Sequence, residues 1–256
     1  MAGFISMKKN NDNLVFGIRA TIEAIEAGKE INKLFIQNGL NNPLIGELKK
    51  LLVEKHVPYQ YVPIEKLNRL SKKNHQGVIC FTSPIHYQPL EQVIPNIYDT
   101  GEVPLLLILD RVTDVRNFGA ICRTAECVGV HAVVVPTKGA ALVNADAIKT
   151  SAGALHRITV CRELYLKETI SYLKEYGFKI IGCTEKGTET IYDTNFREPT
   201  AIIMGSEEDG ISPEYLKLCD NKSSIPMKGN IASLNVSVSA GIILSECLRQ
   251  RNEKSS

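Results

Sequence analysis

From Pro104 onward the chain places continuous apolar runs, L-L-L-I-L, A-V-V-V-P and T-A-I-I-M, between segments of helical spacing. A strand without polar alternation has to be covered on both faces, as in a parallel sheet. Strands alternating with helices therefore argue for a doubly wound α/β layer. Helices are expected at 117–129, across E-L-Y-L-K-E-T-I-S-Y-L-K-E-Y, and at the carboxy terminus through 242–249. R-I-T-V and F-K-I-I-G-C supply further strands.

Residues 14–82 read as a smaller α/β unit. Ile18, Ile22 and Ile25 fall at helical spacing before Gly28, and Pro43 opens an amphipathic helix. K-L-F-I-Q, Y-Q-Y-V and G-V-I-C-F are short strands. Between the two parts, a proline-rich stretch closing on G-E-V-P reads as a linker holding a short helix. The expected division is residues 1–83, a linker at 84–102, and residues 103–256.

Charge separates the same parts. Residues 1–83 carry 12 Lys and Arg against 7 Asp and Glu, whereas residues 84–256 carry 18 against 21. A basic amino-terminal unit can hold a polyanion, although a solvated basic face has the same composition. With 44% hydrophobic and 23% charged residues the chain belongs with globular proteins. No apolar run reaches membrane-spanning length and the amino terminus lacks the apolar core of a signal peptide, so a cytoplasmic protein is expected. The 7 cysteines are dispersed without a C-x-x-C pair, and the 5 histidines show no metal-ligand spacing, so no metal site is expected.

In an open parallel sheet, ligands bind beyond the carboxyl ends of the strands. Three such ends stand out: D-R-V-T-D-V-R-N-F-G-A-I-C-R, G-S-E-E-D-G-I-S, and K-G-N-I-A-S-L-N-V-S-V. None contains G-x-G-x-x-G, the P-loop pattern or a G-x-S-x-G nucleophile elbow. Gly205, Gly210 and Gly229 would instead let a ligand approach the backbone. In the third segment, Ser233, Asn235, Ser237 and Ser239 interrupt Leu234, Val236, Val238 and Ile242. Ser and Asn are poor helix-interior residues, so their concentration calls for another reason.

These three segments, N-x-G-x-x-x-R (Asn117, Gly119, Arg123), M-G-x-E-x-x-G (Met204 to Gly210) and I-P-M-x-G-x-x-x-S-L-N-V-S (225–237), resemble the motifs of the SpoU/TrmH family. That family comprises S-adenosylmethionine-dependent RNA ribose 2′-O-methyltransferases of the SPOUT superfamily. The resemblance covers about residues 103–251. The amino-terminal unit, with G-I-R-A-T-I-E-A-I and N-H-Q-G-V-I, is similar to the L30e-like substrate-binding domain of the ribosomal RNA branch.

The resemblance implies a parallel-sheet SPOUT domain with a deep trefoil knot, a homodimer formed through that domain, and S-adenosyl-L-methionine as cofactor. It implies catalytic positions at Asn117, Arg123, Glu207, Ser233 and Asn235. Thr184, Met204, Gly205, Ile225, Met227 and Leu234 would hold the cofactor, with a core role equally open for both methionines. Arg123 is read as a phosphate clamp, since guanidinium does not deprotonate in proteins; Glu207 would hold Arg123 or Asn117. Ser233 could alternatively be only an N-cap. Arg69, Lys72, Lys73 and His75 form the densest basic loop of the amino-terminal unit, expected to contact RNA phosphate. Val236, Ile242, Ile243 and Leu244 beside Ala240 and Gly241 are expected at the dimer contact. The expected substrate is a guanosine of 23S ribosomal RNA. Transfer RNA, an antibiotic-resistance target, a non-catalytic RNA-binding role and a nucleotide-dependent oxidoreductase remain as alternatives.

Overall fold

The computed structural model describes residues 13–231 and 233–253. The stretch read above for signal-peptide character lies outside the described residues. The chain divides into two compact units, Met1–Ile85 with Leu142–Ala145, and His86–Ala141 with Asp146–Ser256.

The first unit runs β1 (Leu14–Phe16), α1 (Ile18–Glu26), β2 (Ile31–Gln37), α2 (Pro43–Glu54), β3 (Tyr59–Val62), α3 (Ile64–Leu70) and β4 (Val78–Thr82). Its sheet has the order β1-β4-β2-β3, with β2 and β3 parallel and the other pairs antiparallel. Ile18, Ile22 and Ile25 of α1 and Ile45, Leu48 and Leu52 of α2 pack on Leu34 and Ile36 of β2. The opposite face joins Phe35, Val62 and Ile79 to Leu67 of α3. Asn42 starts α2, its Oδ1 accepting the Ile45 N–H at 2.9 Å, with Pro43 at the first helical position.

The second unit opens with α4 (Leu90–Asp99), then β5 (Leu105–Leu109), α5 (Val115–Val128), β6 (Ala132–Pro136), α6 (Ala145–Thr150), β7 (Thr159–Glu163) and α7 (Leu166–Glu175). It continues with β8 (Lys179–Cys183), β9 (Glu189–Thr190), β10 (Thr200–Met204), α8 (Pro213–Leu216), β11 (Asn221–Ser224) and α9 (Val236–Asn252). The short helix in the stretch read as a linker is α4, and its Leu90, Val93, Ile94 and Ile97 belong to the same core as β5, β6 and β10. Burying that apolar face is worth more than leaving it on a tether in water.

The sheet order is β7-β6-β5-β10-β8-β11-β9, and every pair is parallel. All residues of β5, β6 and β10 are buried, as their unbroken apolar runs require. From β5 the chain builds outward to β6 and β7 on one side, whereas β10 lies on the other. Strand order therefore reverses between β5 and β10, which opens a crevice at their carboxyl ends.

Helix α9 packs directly against α5. Its Val236, Ala240, Ile243, Leu244 and Cys247 are buried within the chain. This corrects the expected dimer contact: Val236, Ile243, Leu244 and Ala240 are consumed by the fold, leaving Gly241 and Ile242 partly accessible and Val238 exposed. Buried Gln250 ties α9 down, its Oε1 accepting the Phe196 N–H at 3.0 Å and its Nε2 donating to Thr194 O at 2.9 Å. Arg251 donates to the carbonyls of Phe196, Val103, Pro104 and Glu198. Among the described residues, no helix is long and apolar enough to cross a membrane.

Candidate active site

Two helix starts meet at the crevice. Asp114 caps α5, its Oδ1 accepting the Asn117 N–H at 2.8 Å. Asn235 caps α9, its Oδ1 accepting the N–H of Ser237 at 2.9 Å and of Val238 at 3.4 Å. The helix thus begins one residue after Asn235, and Ser233 lies in the preceding loop rather than at the cap. Ser237 Oγ donates to the same Asn235 oxygen at 2.6 Å.

The amide of Asn235 faces the other way. Its Nδ2 donates to Asn117 Oδ1 at 3.1 Å and to Glu207 Oε1 at 2.5 Å. Asn117 Nδ2 donates to the same Glu207 oxygen at 3.0 Å. A closed triangle of side chains thereby joins the segments after β5, β10 and β11. The Glu207 carboxylate sits at the amino ends of both helices, where the unpaired N–H groups favour negative charge.

Glu207 is carried by a loop that closes on itself. Ser206 and Gly210 exchange backbone hydrogen bonds of 3.2 and 3.0 Å. A Cβ on Gly205 would lie 2.0 Å from the Gly210 carbonyl carbon, so only glycine allows this turn. The requirement at Gly205 thus comes from its own loop, not from a ligand at that Cβ position. Nothing lies within 4 Å of the Cβ positions of Gly210 and Gly229.

Arg111 secures the loop from the β5 side. Its Nε donates to Asp110 Oδ1 at 3.0 Å, Nη1 to Asp209 Oδ2 at 3.0 Å and Nη2 to Gly210 O at 3.0 Å. Asp110 is buried and also accepts the Ser212 N–H at 2.6 Å and the Ser212 hydroxyl at 2.7 Å. The hydrogen bond to Asp110, with the charge of Asp209, holds the Arg111 pKa above its ordinary value. Arg111 occupies the left-handed region at φ +57, a conformation costing a non-glycine residue about 1–2 kcal/mol. Its bonds to both sides of the crevice offset that cost.

A cleft of about 320 Å³ opens beyond β8, β10 and β11. Thr184, Met204, Gly205, Ile225, Met227, Ser233 and Leu234, all singled out from the sequence, line it together with Glu207. Met204 is otherwise a buried strand residue, while Met227 and Leu234 are 40% and 38% exposed. Cys183 also lines the cleft, and burial pushes its thiol up to about 12, so it is a neutral wall at pH 7. A second cavity of about 320 Å³ adjoins the cleft through Ser206 to Asp209 and is lined by Arg111, Thr113, Asp114 and Asn117.

Arg123 is not brought to this cluster. It lies six residues after Asn117, about 9 Å along the helix and about 240° around it. It is exposed and forms no hydrogen bond or ion pair with a described residue, so Glu207 holds Asn117 and Asn235 instead. In the first unit, Arg69, Lys72 and Lys73 are exposed, with Lys73 Nζ 5.2 Å from the Phe16 ring centroid. His75 departs from the expected phosphate-binding loop: it is buried, its Nδ1 accepts the Gly77 N–H at 3.1 Å, and its Nε2 bonds Asn68 Oδ1 at 3.0 Å. It shapes the turn instead of facing solvent.

Sequence reasoning missed Asp110, Arg111, Asp114 and Ser212. Asp114 had a readable signal, an Asp three residues before Asn117 at a helix start. Arg111 had none, because the loop residues it secures, Asp209 and Gly210, lie about a hundred residues away.

A profile of the SpoU rRNA methylase family matches residues 104–245. The chain belongs to the SpoU methylase family. A second profile, RNA 2′-O ribose methyltransferase substrate binding, matches residues 14–88. The chain is 38% identical to the 23S rRNA (guanosine-2′-O-)-methyltransferase RlmB of Neisseria meningitidis, covering 95% of this chain and 99% of the relative. It is 32% identical to the putative TrmH family tRNA/rRNA methyltransferase YacO of Bacillus subtilis, over 93% and 96% of the two chains. Among solved structures, the SpoU methyltransferase AviRb of Streptomyces viridochromogenes, in complex with the cofactor AdoMet, superposes with a TM-score of 0.60 at 26% identity. That superposition covers 93% of this chain and 90% of AviRb.

Proposed function

We propose that this SpoU-family chain transfers a methyl group from S-adenosylmethionine to a ribose 2′-oxygen of RNA, at a guanosine of 23S ribosomal RNA. The observation that carries the reading is the Asn117–Glu207–Asn235 triangle at the rim of the cleft, which unites all three family motifs. The 23S guanosine follows the relative from Neisseria, matched along almost its full length.

The cleft fits the cofactor. Its volume lies in the range of small-molecule sites. Exposed Met227 and Leu234 offer apolar surface to a ring face, and backbone groups around Gly205, Ile225 and Leu234 can meet polar edges. Glu185, Glu207 and Glu208 suit a ligand bearing positive charge, opposed by the single cation Lys186 among the lining residues. When bound, the cofactor supplies a methyl group activated by a sulfonium.

The chain's own residues then position and exclude. Thr184 and Met204 close the strand-end side of the cleft. Glu207 fixes the amides of Asn117 and Asn235, and Arg111 fixes the loop bearing Glu207. Ser233, exposed at the mouth, offers a hydroxyl to the incoming ribose. Arg123 acts as a cation on the solvent face of α5, neutralising a phosphate next to the target nucleotide.

The passage of the 184–187 loop across β11, from β8 on one side to β9 on the other, supports a trefoil knot. A Cβ on Gly187 would lie 2.5 Å from Ser224 N, so the 184–187 loop and β11 cross with no room for a side chain. The first unit is read as an L30e-like RNA-binding domain, supported by its α/β build, its basic charge and the substrate-binding profile. Residues 1–83 receive RNA and residues 103–256 catalyse, with α4 of the intervening stretch packed into the core of the catalytic part. A homodimer through the catalytic part is supported by exposed Val238 and Tyr192 beside Ile242 on α9. The cytoplasm is the proposed compartment, as it holds the RNA substrate.

The test is transfer of labelled methyl to purified 23S ribosomal RNA and to transfer RNA, followed by mapping of ribose methylation. Modification of a 23S guanosine is the expected result. Labelling of transfer RNA alone would overturn the substrate, and no transfer to either would overturn the activity.

A further inference from the structure

We propose that Tyr59 and Tyr61 form a stacking platform for unpaired bases of the RNA. The inference rests on the RNA-binding reading of the first unit and assigns part of that binding to two rings. Among the described residues, strand β3 is the outer strand of its sheet and pairs only with β2. Register places Tyr59 opposite Leu34 and Tyr61 opposite Ile36, on the face packed by α1 and α2. Leu34 and Ile36 are fully buried there, but Tyr59 and Tyr61 are 40% and 42% exposed. The two rings extend past the cover of the helices.

They are also held. Their centroids lie 5.6 Å apart at an interplanar angle of 86°. Lys49 of α2 places its Nζ 5.4 Å from the Tyr61 centroid. Val53, one turn further along α2 from Lys49, is 67% exposed. Edge strands are ordinarily blunted by charge or proline, yet this one presents two aromatic rings separated by Gln60.

The RNA substrate-binding profile over residues 14–88 names RNA as the occupant, and Lys49 of α2 places a cation on the platform's own face, where a phosphate backbone is attracted. Proteins read unpaired RNA by splaying bases onto aromatic rings while nearby cations follow the backbone. Tyr59 and Tyr61 supply the rings and Lys49 the neighbouring cation. The platform is separate from the Arg69, Lys72 and Lys73 loop, since α3, which leads into that loop, packs on the other face of the sheet.

The chain contains no tryptophan, so Tyr59→Trp creates a single fluorophore at the platform. Full-length protein carrying this substitution is titrated with a short single-stranded oligoribonucleotide of mixed sequence and with the same sequence as a duplex. Quenching by the single strand that exceeds quenching by the duplex is expected; no quenching, or equal quenching by both, overturns the proposal. By fluorescence anisotropy, Tyr59→Ala and Tyr61→Ala should each weaken single-strand binding about tenfold with an unchanged salt slope. Tyr59→Phe and Tyr61→Phe should bind as the unaltered chain does. Lys49→Ala should instead lower the salt slope by about 0.7. Alanine variants that bind like the unaltered chain overturn the platform while leaving the methyltransferase reading intact. Loss of methyl transfer from the unaltered chain, with quenching preserved, would remove the reaction and leave the platform standing.

Discussion

Asn235 donates its side-chain N–H to Glu207 Oε1 at 2.5 Å while its oxygen caps α9. One side chain therefore starts the helix and fixes the loop after β10. The two duties can be separated. Asn235→Ser keeps an effective cap but cannot span to Glu207 and Asn117, so stability should fall by less than about 1 kcal/mol. Methyl transfer should nevertheless drop at least tenfold. Thermal melts and single-turnover assays on the same preparation check this; a variant with full activity would reduce Asn235 to a cap.

Glu207→Ala leaves both amides without their shared acceptor. Hydrogen bonds to a charged group are worth about 1.5–3 kcal/mol, partly screened here because Glu207 is exposed. Cofactor affinity, measured by calorimetry, should fall with methyl transfer, because Glu207 lines the cleft.

Arg123 is assigned to act as a cation. Arg123→Lys should retain part of the methyl transfer and Arg123→Ala nearly none, with cofactor affinity unchanged in both. The comparison is single-turnover methylation as a function of pH. Equal loss in both variants at every pH, with RNA binding intact, would replace the clamp by a bidentate or proton-transfer role.

Substitution of Arg69, Lys72 and Lys73 by alanine should weaken RNA binding and flatten its salt dependence without moving cofactor affinity. His75→Ala should behave differently. It removes the acceptor of the Gly77 N–H inside a buried turn and should lower stability by about 1–3 kcal/mol at constant salt slope.

Glu246 gives a pH prediction. Hydrogen bonds from Arg249, at 2.8 Å from both Nε and Nη2, and from Gln250 at 2.8 Å hold its carboxyl pKa below the ordinary value. A depressed folded-state pKa adds stability that is complete above the unfolded value of about 4.3 and is lost as pH falls through the folded value. Glu246→Gln should therefore melt lower than the unaltered chain at pH 7, with the gap closing on acidification. A gap that widens in acid would reverse the assignment.

Sequence alone determined β5, β6 and β10, because an unbroken apolar run such as Leu105–Leu109 has no solvent-compatible face, whereas β9 and β11 carry no such run. It also determined the motif residues, since their types and spacing are local facts, and seven expected positions line one cleft along with Glu207. Only tertiary structure decided which of those residues touch. Asn117, Glu207 and Asn235 become neighbours because β5, β10 and β11 end on the same side of one sheet. The same limit explains the departures. Small and apolar residues run round α9, so periodicity did not reveal that Val236, Ile243 and Leu244 face inward while Val238 faces out. Composition marked His75 as part of a basic loop, but its burial depends on Asn68 and the Gly77 N–H reaching both ring nitrogens. Arg111 was silent in the sequence because its role exists only once Asp110 and Asp209 are brought together. Hydropathy and spacing are properties of a chain segment, whereas a hydrogen bond between distant segments is a property of the fold.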